Sequence, residues 1–449
     1  MLRSNLFRVL SYYYVYQGAK GIYEAYSDLK QIQRTSQAEI EKIADKKLKN
    51  VIEYADKNVF YYKYLFKEND VNVSEFKGVD DLSKIPFLNK RKIRDNYPDK
   101  ITAPDTLKNA VQGSTSGTTG EPLYFYKDRL AQPYSIASIM FANELMGVKP
   151  FDTHWNPRTV KKIPLKETLS LWLHGKYMYH IFDINKEHLG EIIRQLDTIR
   201  PSYIESNPTY TNKIARLFKQ EGVWPKHKPK AIISSSEMLL KHIREFIEHE
   251  FQSEVFDRYG HNEFSPATGM ECREHDGFHV NPLLTYIEVV DEEGNQVDEG
   301  EEGRILITDL NNRVMPFIRY DVGDYGERGG YDCPCGLYLP VLKSLKGRNT
   351  QDIMLPNNEF IKFAHVRSIL IKNFYPYIYL FQFAQHTKTS ASIKIVPTEK
   401  YTKGIDERIK EEVLKLLHEV EQGFELEVYV VDDIPPEESG KTPFIKMLD

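Results

Sequence analysis

Residues 113–122, "GSTSGTTGEP", set Gly113, Gly117 and Gly120 among the hydroxyls of Ser114, Thr115, Ser116, Thr118 and Thr119. A turn of this composition can aim backbone N–H groups and hydroxyls at a phosphate, because glycine reaches the positive φ angles that such a nest requires. A Walker loop would add a lysine after its second spaced glycine. Here Gly120 is followed by Glu121, so a cation for the phosphates must come from elsewhere. Four more short stretches carry groups suited to nucleotide chemistry. "YGHNE" places the aromatic ring of Tyr259 beside Gly260 and the carboxylate of Glu263 four positions on, a purine-stacking ring and a magnesium ligand respectively. "RYDVGD" offers Asp324 as an acceptor for paired ribose hydroxyls, "KGR" supplies Arg348, and "ESGK" presents Lys441 near the chain end.

A second constellation suits a metal. Cys333 and Cys335 form a compact thiolate pair in "CPCG", and Cys272 lies upstream in "CREHDGFHV" with His275 and His279. Three thiolates and one imidazole make a closed tetrahedral set of the kind that holds structural Zn²⁺.

These groups need a scaffold, and the sequence supplies one in sections. Ser36 and Glu39 form a capping box ahead of Ile40, Ile43, Ala44, Leu48, Val51, Ile52 and Ala55 at helical spacing. Residues 1 to about 105 therefore read as a mainly helical lead-in. From 130 to 260, helical stretches such as "HLGEIIRQLDTI" alternate with β-branched runs such as "AIISSS" and "EVFDRYG", which predicts layered α/β structure with a largely parallel sheet. Around "DEEGN" two β-rich runs predict a hairpin in a β-rich subdomain. The end of the chain reads as strand, helix and strand, preceded by a polar, Gly- and Pro-bearing linker at 345–360. The fold class expected is α/β, with a large multi-subdomain unit over 1–346 and a small, mobile α+β unit over 347–449.

Composition excludes several alternatives. A net charge of -5 over 449 residues leaves no basic excess for nucleic acid. No stretch approaches the roughly 18 uninterrupted apolar residues of a membrane span. The tyrosine-rich start, broken by Arg8, Gln17 and Lys20, reads as an amphipathic helix. Three cysteines form no disulfide framework, and a cytoplasmic location is the simplest expectation.

Taken in order, "STSGTTGEP", "SSSEM", "YGHNE", "GEEGRILITDL", "PFIRYDVGD", "LKGR" and "SGK" resemble the motif series of the adenylate-forming superfamily, in its phenylacetate–coenzyme A ligase and capsule-biosynthesis (CapK-like) branch. The resemblance implies an ATP-dependent ligase that joins a small carboxylic acid to AMP, releases pyrophosphate, and passes the acyl group to coenzyme A or another thiol. A relative of the capsule type would instead use an amine or sugar acceptor, and a nucleotide-binding scaffold without turnover is the alternative of another class. Residues 114–120 would hold the β,γ-phosphates, Ser236 and Glu237 the adenine side, and Glu263 the Mg²⁺. Lys441 would reach the α-phosphate from the small unit, which must close and then rotate away. Some relatives carry a Cys₃His zinc cluster with the histidine in a "GxH" context, which favours His279 over His275. A homodimer is compatible with this reading. Two departures stand out: Asn262 replaces the usual Ser or Thr, and the hinge position reads Thr350, with Asp352 two further on.

Overall fold

The computed structural model describes residues 20–33, 35–115, 123–149, 152–158, 171, 175–180, 184–348, 352–356, 359–435 and 445–446. The chain forms two compact units, Met1–Leu239 with Phe246–Leu345, and Leu240–Glu245 with Lys346–Asp449. Among the described residues no helix is long and apolar enough to cross a membrane.

The first unit opens with helices α1 (Lys20–Ile32), α2 (Gln37–Asn58), α3 (Phe60–Glu68) and α4 (Lys90–Asn96). Helix α2 starts where the Ser36 backbone N–H donates to the Glu39 carboxylate at 3.2 Å, the expected capping box. Its Ile40, Ala44, Leu48, Val51, Ile52 and Ala55 are buried. Leu48 through Ala55 share one core cluster with Tyr62, Leu310 and Ile318, and each fully buried Leu or Ile contributes about 1.5–3 kcal/mol. Polar ties reinforce this packing. The Tyr62 hydroxyl donates to the Pro316 carbonyl at 2.7 Å and accepts from the Ile318 N–H. Arg319, fully buried and in the left-handed region at φ +48, donates to the Glu288 carboxylate at 3.1 Å and to the carbonyls of Ile85 and Gly294. The helical lead-in thus fixes the segment that carries Asp324.

Strands β1 (Ala110–Thr115) and β2 (Leu123–Asp128) pair antiparallel by themselves. After helix α5 (Gln132–Leu145) come β3 (His154–Arg158), β4 (Lys176–His180), helix α6 (Lys186–Ile199), β5 (Tyr203–Ser206), helix α7 (Pro208–Glu221), β6 (Ala231–Ser235), helix α8 (Lys241–Phe251) and β7 (Glu254–Tyr259). These five strands are mutually parallel, β4 to β3, β3 to β5, β5 to β6 and β6 to β7. Parallel neighbours need crossover connections, which accounts for the alternation of helix and strand along 130–260.

The chain then runs through β8 (Gly269–Met270), β9 (Phe278–Val280), β10 (Thr285–Val290), β11 (Glu302–Asp309), β12 (Tyr320–Arg328) and β13 (Val341–Arg348). The expected hairpin is present, with β10 antiparallel to β11. The β-rich region continues the parallel sheet, giving eleven strands among the described residues in the order β10-β11-β12-β13-β9-β8-β7-β6-β5-β3-β4.

In the second unit, β14 (Asp352–Met354) pairs antiparallel with β15 (Phe360–Lys362), followed by helix α9 (Phe363–Phe374). The stretch read as a polar linker is therefore partly strand, because its apolar Ile353 and Leu355 find burial. Strands β16 (Ile378–Thr387) and β17 (Ser390–Pro397), helix α10 (Ile405–His418), and strands β18 (Glu425–Val430) and β19 (Ile445–Lys446) complete it, with sheet order β18-β17-β16-β19. Ile405, Ile409, Val413 and Leu417 of α10 recur at four-residue spacing and are all buried.

Candidate functional site

The glycine- and hydroxyl-rich stretch joins β1 to β2. Thr115 pairs with Leu123 in the last register position before the turn, so Ser114 and Thr115 sit at its base. Ser114 is exposed, whereas the Thr115 hydroxyl is shielded from solvent without a hydrogen-bond partner among the described residues. Ser116, Gly117, Thr118, Thr119 and Gly120 lie outside the described residues.

The second motif closes β7. In open α/β sheets ligands bind outside the carboxyl ends of the parallel strands. Tyr259 ends β7, with Gly260 to Glu263 just beyond. The loop folds back tightly, with the His261 N–H donating to the Ser265 carbonyl at 2.9 Å. Gly260 permits this approach, because a Cβ there would sit 2.3 Å from the Pro266 carbonyl oxygen. Asn262 is exposed and Glu263 is buried. Burial pulls the Lys127 ammonium below its usual range while the Glu263 carboxylate opposes the shift, so the two charges sense one another.

Tyr259 and Asp324 meet. The phenol donates to Asp324 Oδ2 at 2.8 Å, and the His261 Nε2 lies 3.4 Å from the same oxygen. The Tyr259 ring is mostly enclosed, perpendicular to the His261 ring at 4.5 Å. Asp324 itself stays part-exposed.

Ser236 follows β6 in the left-handed region at φ +74 and is exposed. Its neighbour Glu237 accepts from the Thr209 hydroxyl at 2.5 Å and from the Thr209 N–H at 3.3 Å, at the start of α7. A carboxylate there satisfies free N–H groups and the positive end of the helix. Asn207 caps the same helix, accepting from the Tyr210 N–H. The "SSSEM" segment is thereby anchored to the end of β5.

Cys272, His279, Cys333 and Cys335 converge, their ligand atoms all within 4.8 Å of one another. Cys272 and Cys333 sulfurs lie 3.6 Å apart, and Cys335 Sγ lies 3.3 Å from His279 Nε2. His275 is turned elsewhere, its Nδ1 3.1 Å from Glu271 and its Nε2 3.2 Å from Glu254. Burial pushes the Cys272 thiol up to about 12, raises Cys335, and pulls the His279 imidazole down to about 4.

Lys441 and Thr350 lie outside the described residues, as does the side chain of Arg348, whose backbone ends β13. Sequence reading missed His261 as a neighbour of Asp324, and it missed the pair of buried Arg258 and part-exposed Glu205, whose Nη2 and Oε1 are 2.5 Å apart. The available signal was an arginine inside the otherwise apolar strand run "EVFDRY".

Residues 353–447 match the CapK C-terminal domain family. The phenylacetate–coenzyme A ligase of Thermus thermophilus is 25% identical over 404 residues, covering 84% of this chain and 86% of that protein. Protein CapK of Staphylococcus aureus is 23% identical over 342 residues, covering 75% and 72%. The crystal structure of 2-hydroxyisobutyryl-CoA ligase in the postadenylation state with R3-HIB-AMP superposes with a TM-score of 0.73 at 18% identity, over 93% of this chain and 91% of that one. By sequence and by fold, the chain is thus similar over most of its length to the phenylacetate–coenzyme A ligase and CapK branch of the adenylate-forming enzymes.

Proposed function

We propose that this chain activates a carboxylic acid with ATP, releasing pyrophosphate and forming an acyl-adenylate, and then transfers the acyl group to the thiol of coenzyme A. The observation that carries the reading is the meeting of Tyr259 and Asp324 at the carboxyl end of β7, four residues before the buried Glu263. It is supported by relatives named as phenylacetate–coenzyme A ligases and by a structural neighbour crystallised with an acyl-AMP.

The chemistry asks the protein mainly to position groups and stabilise charge. The acid's carboxylate attacks the α-phosphorus, and the pyrophosphate oxygen leaves with the bond electrons. Residues 114–120 would hold the outgoing phosphates, Ser236 and Glu237 the base, and Asp324 the ribose hydroxyls. Glu263 offers a buried carboxylate oxygen, the donor a hard cation such as Mg²⁺ takes, and a bound ion would neutralise phosphate charge there. Lys441 would supply the cation that the glycine loop lacks, with Arg348 completing the set. A lysine suits this task as a compact charge on a flexible stem.

The Cys₃His cluster fits zinc. Zn–S bonds near 2.3 Å and Zn–N bonds near 2.0 Å place tetrahedral ligand atoms roughly 3.5 Å apart, and the separations of 3.3 and 3.6 Å agree. With four protein ligands the ion would be structural, tying residues 272–279 to 333–335.

The test is incubation of the purified chain with ATP, Mg²⁺, coenzyme A and an acid panel. The reading expects acid-dependent AMP release and a new acyl thioester by mass spectrometry. AMP release that requires an amine in place of coenzyme A would reassign the acceptor, and no AMP with any acid would refute activation.

A further inference from the structure

The carboxyl ends of the parallel strands hold a buried polar group that the proposed nucleotide chemistry does not use. Arg258 precedes Tyr259 on β7 and its side chain is 2% exposed. One amino group meets Glu205 on β5 at 2.5 Å, while Nε and Nη1 are buried without a hydrogen-bond partner among the described residues. The β3–β5 register pairs His154 with Tyr203 and Trp155 with Ile204, so Asn156 falls beside Glu205 on the same sheet face. Asn156 is 3% exposed, and its Oδ1 is also unpartnered among the described residues. Two residues before Glu205, Tyr203 meets His154 Nδ1 through its hydroxyl at 2.9 Å and lies beside Asn143 of α5. The Asn143 Oδ1 is also without a hydrogen-bond partner among the described residues. Tyr203, Ile233 and Phe256 of this face share one core cluster with Phe141 and Ala142 of α5.

Buried polar groups left without partners cost about 1–3 kcal/mol each, and more when charged. Three such atoms, on Arg258 and Asn156, lie on one sheet face and a fourth, on Asn143, lies on the helix α5 packed against it; Arg258 and Glu205 stand near the strand ends where such folds bind ligands, which marks a site whose partners arrive with the ligand. The complementary chemistry can be read off the atoms. Arg258 offers the N–H donors of Nε and Nη1 and calls for an acceptor, whereas Asn156 and Asn143 offer carbonyl oxygens and call for donors. Glu205, part-exposed at 15%, adds a negative charge. Building on the acid-activation reading, we infer that Arg258, Glu205, Asn156 and Asn143 form the subsite for the acid's tail, and that the substrate is a carboxylic acid bearing a hydroxyl or amino group rather than a hydrocarbon or plain aryl acid.

A site built to hydrogen-bond a substrate hydroxyl or amine rejects the analogue lacking it by as much as roughly 10⁴-fold. The test uses matched acids with and without the polar group, among them lactate with propionate, serine with butyrate, and 4-hydroxyphenylacetate with phenylacetate. Binding to the full chain is measured by calorimetry with a non-hydrolysable ATP analogue present, and ATP–pyrophosphate exchange is measured alongside. We expect at least one substituted acid to bind about 100-fold tighter than its partner. Arg258→Met should reduce that preference to a few-fold while leaving binding of the ATP analogue unchanged. Because a lone Glu205 charge can unfold the site, the double variant Arg258→Met/Glu205→Met serves as the second arm and should lose the preference equally. Hydrocarbon acids binding as well as substituted ones, or a preference untouched in both variants, would overturn the inference. Arg258-dependent binding without exchange would support the subsite and refute activation. Exchange with hydrocarbon acids that ignores Arg258 would do the reverse, and no binding with no exchange would remove both.

Discussion

The Tyr259 hydroxyl donates to Asp324 Oδ2 across 2.8 Å, joining residues 65 positions apart in sequence. One oxygen of Asp324 is thereby engaged, and the carboxylate is held in a fixed orientation while remaining part-exposed. If this carboxylate holds the ribose, Asp324→Ala should raise the KM for ATP about 10–100-fold, the loss of one or two hydrogen bonds to a charged group. Tyr259→Phe, which keeps the ring and frees the carboxylate, should have the smaller effect. Steady-state kinetics at varied ATP checks both.

Gly260 has no room for a side chain, since a Cβ would lie 2.3 Å from the Pro266 carbonyl oxygen. Gly260→Ala must therefore move the loop that carries Glu263. We expect acid-dependent pyrophosphate exchange to fall about 100-fold or more, because an error of about 1 Å in placing a reacting group carries a cost of that size. Thermal unfolding of the same variant should shift by only a few degrees.

In the metal-free Cys₃His cluster burial pushes the Cys272 thiol up to about 12 and Cys335 upward, and pulls the His279 imidazole down to about 4, which keeps Cys272 and Cys335 protonated and the imidazole neutral at neutral pH. Zinc needs thiolates, so its binding must displace thiol protons and none from the imidazole. Affinity should therefore rise with pH between 6 and 8. Calorimetric titration in buffers of different ionisation enthalpy should register proton release, and Cys335→Ser should reduce it and weaken binding.

Glu288 and Arg319 are both buried, and burial pushes the Glu288 carboxyl up against the attraction of the guanidinium. Removing one partner strands the other charge. Glu288→Ala should destabilise the first unit by about 3–5 kcal/mol in denaturant unfolding. Replacing both residues by apolar ones of similar size should recover much of that loss.

The elements of the first unit were legible wherever burial follows a simple period. The α2 stripe from Ile40 to Ala55 and the alternation that builds β5, β6 and β7 depend on local pattern alone. The Cys₃His set was legible because few residue types can hold zinc, even though Cys272 and Cys333 lie 61 positions apart. The pairing of Arg258 with Glu205 was not. An arginine in a strand looks the same whether it faces solvent or a carboxylate 53 positions away, and the strand register decides which. The 345–360 stretch read as a linker because its Gly, Pro and Asn residues outweigh Ile353 and Leu355, whose burial depends on tertiary packing.

The account turns on a glycine loop without its lysine and a lysine over three hundred positions later. ATP–pyrophosphate exchange across a panel of carboxylic acids, run on the unmodified chain and on Lys441→Ala, tests that division of labour most directly. We predict exchange that depends on an acid and falls at least about 100-fold in the variant, the scale on which removing a transition-state charge stabiliser acts. Exchange that survives in Lys441→Ala, or its absence with every acid in the panel, would contradict the account.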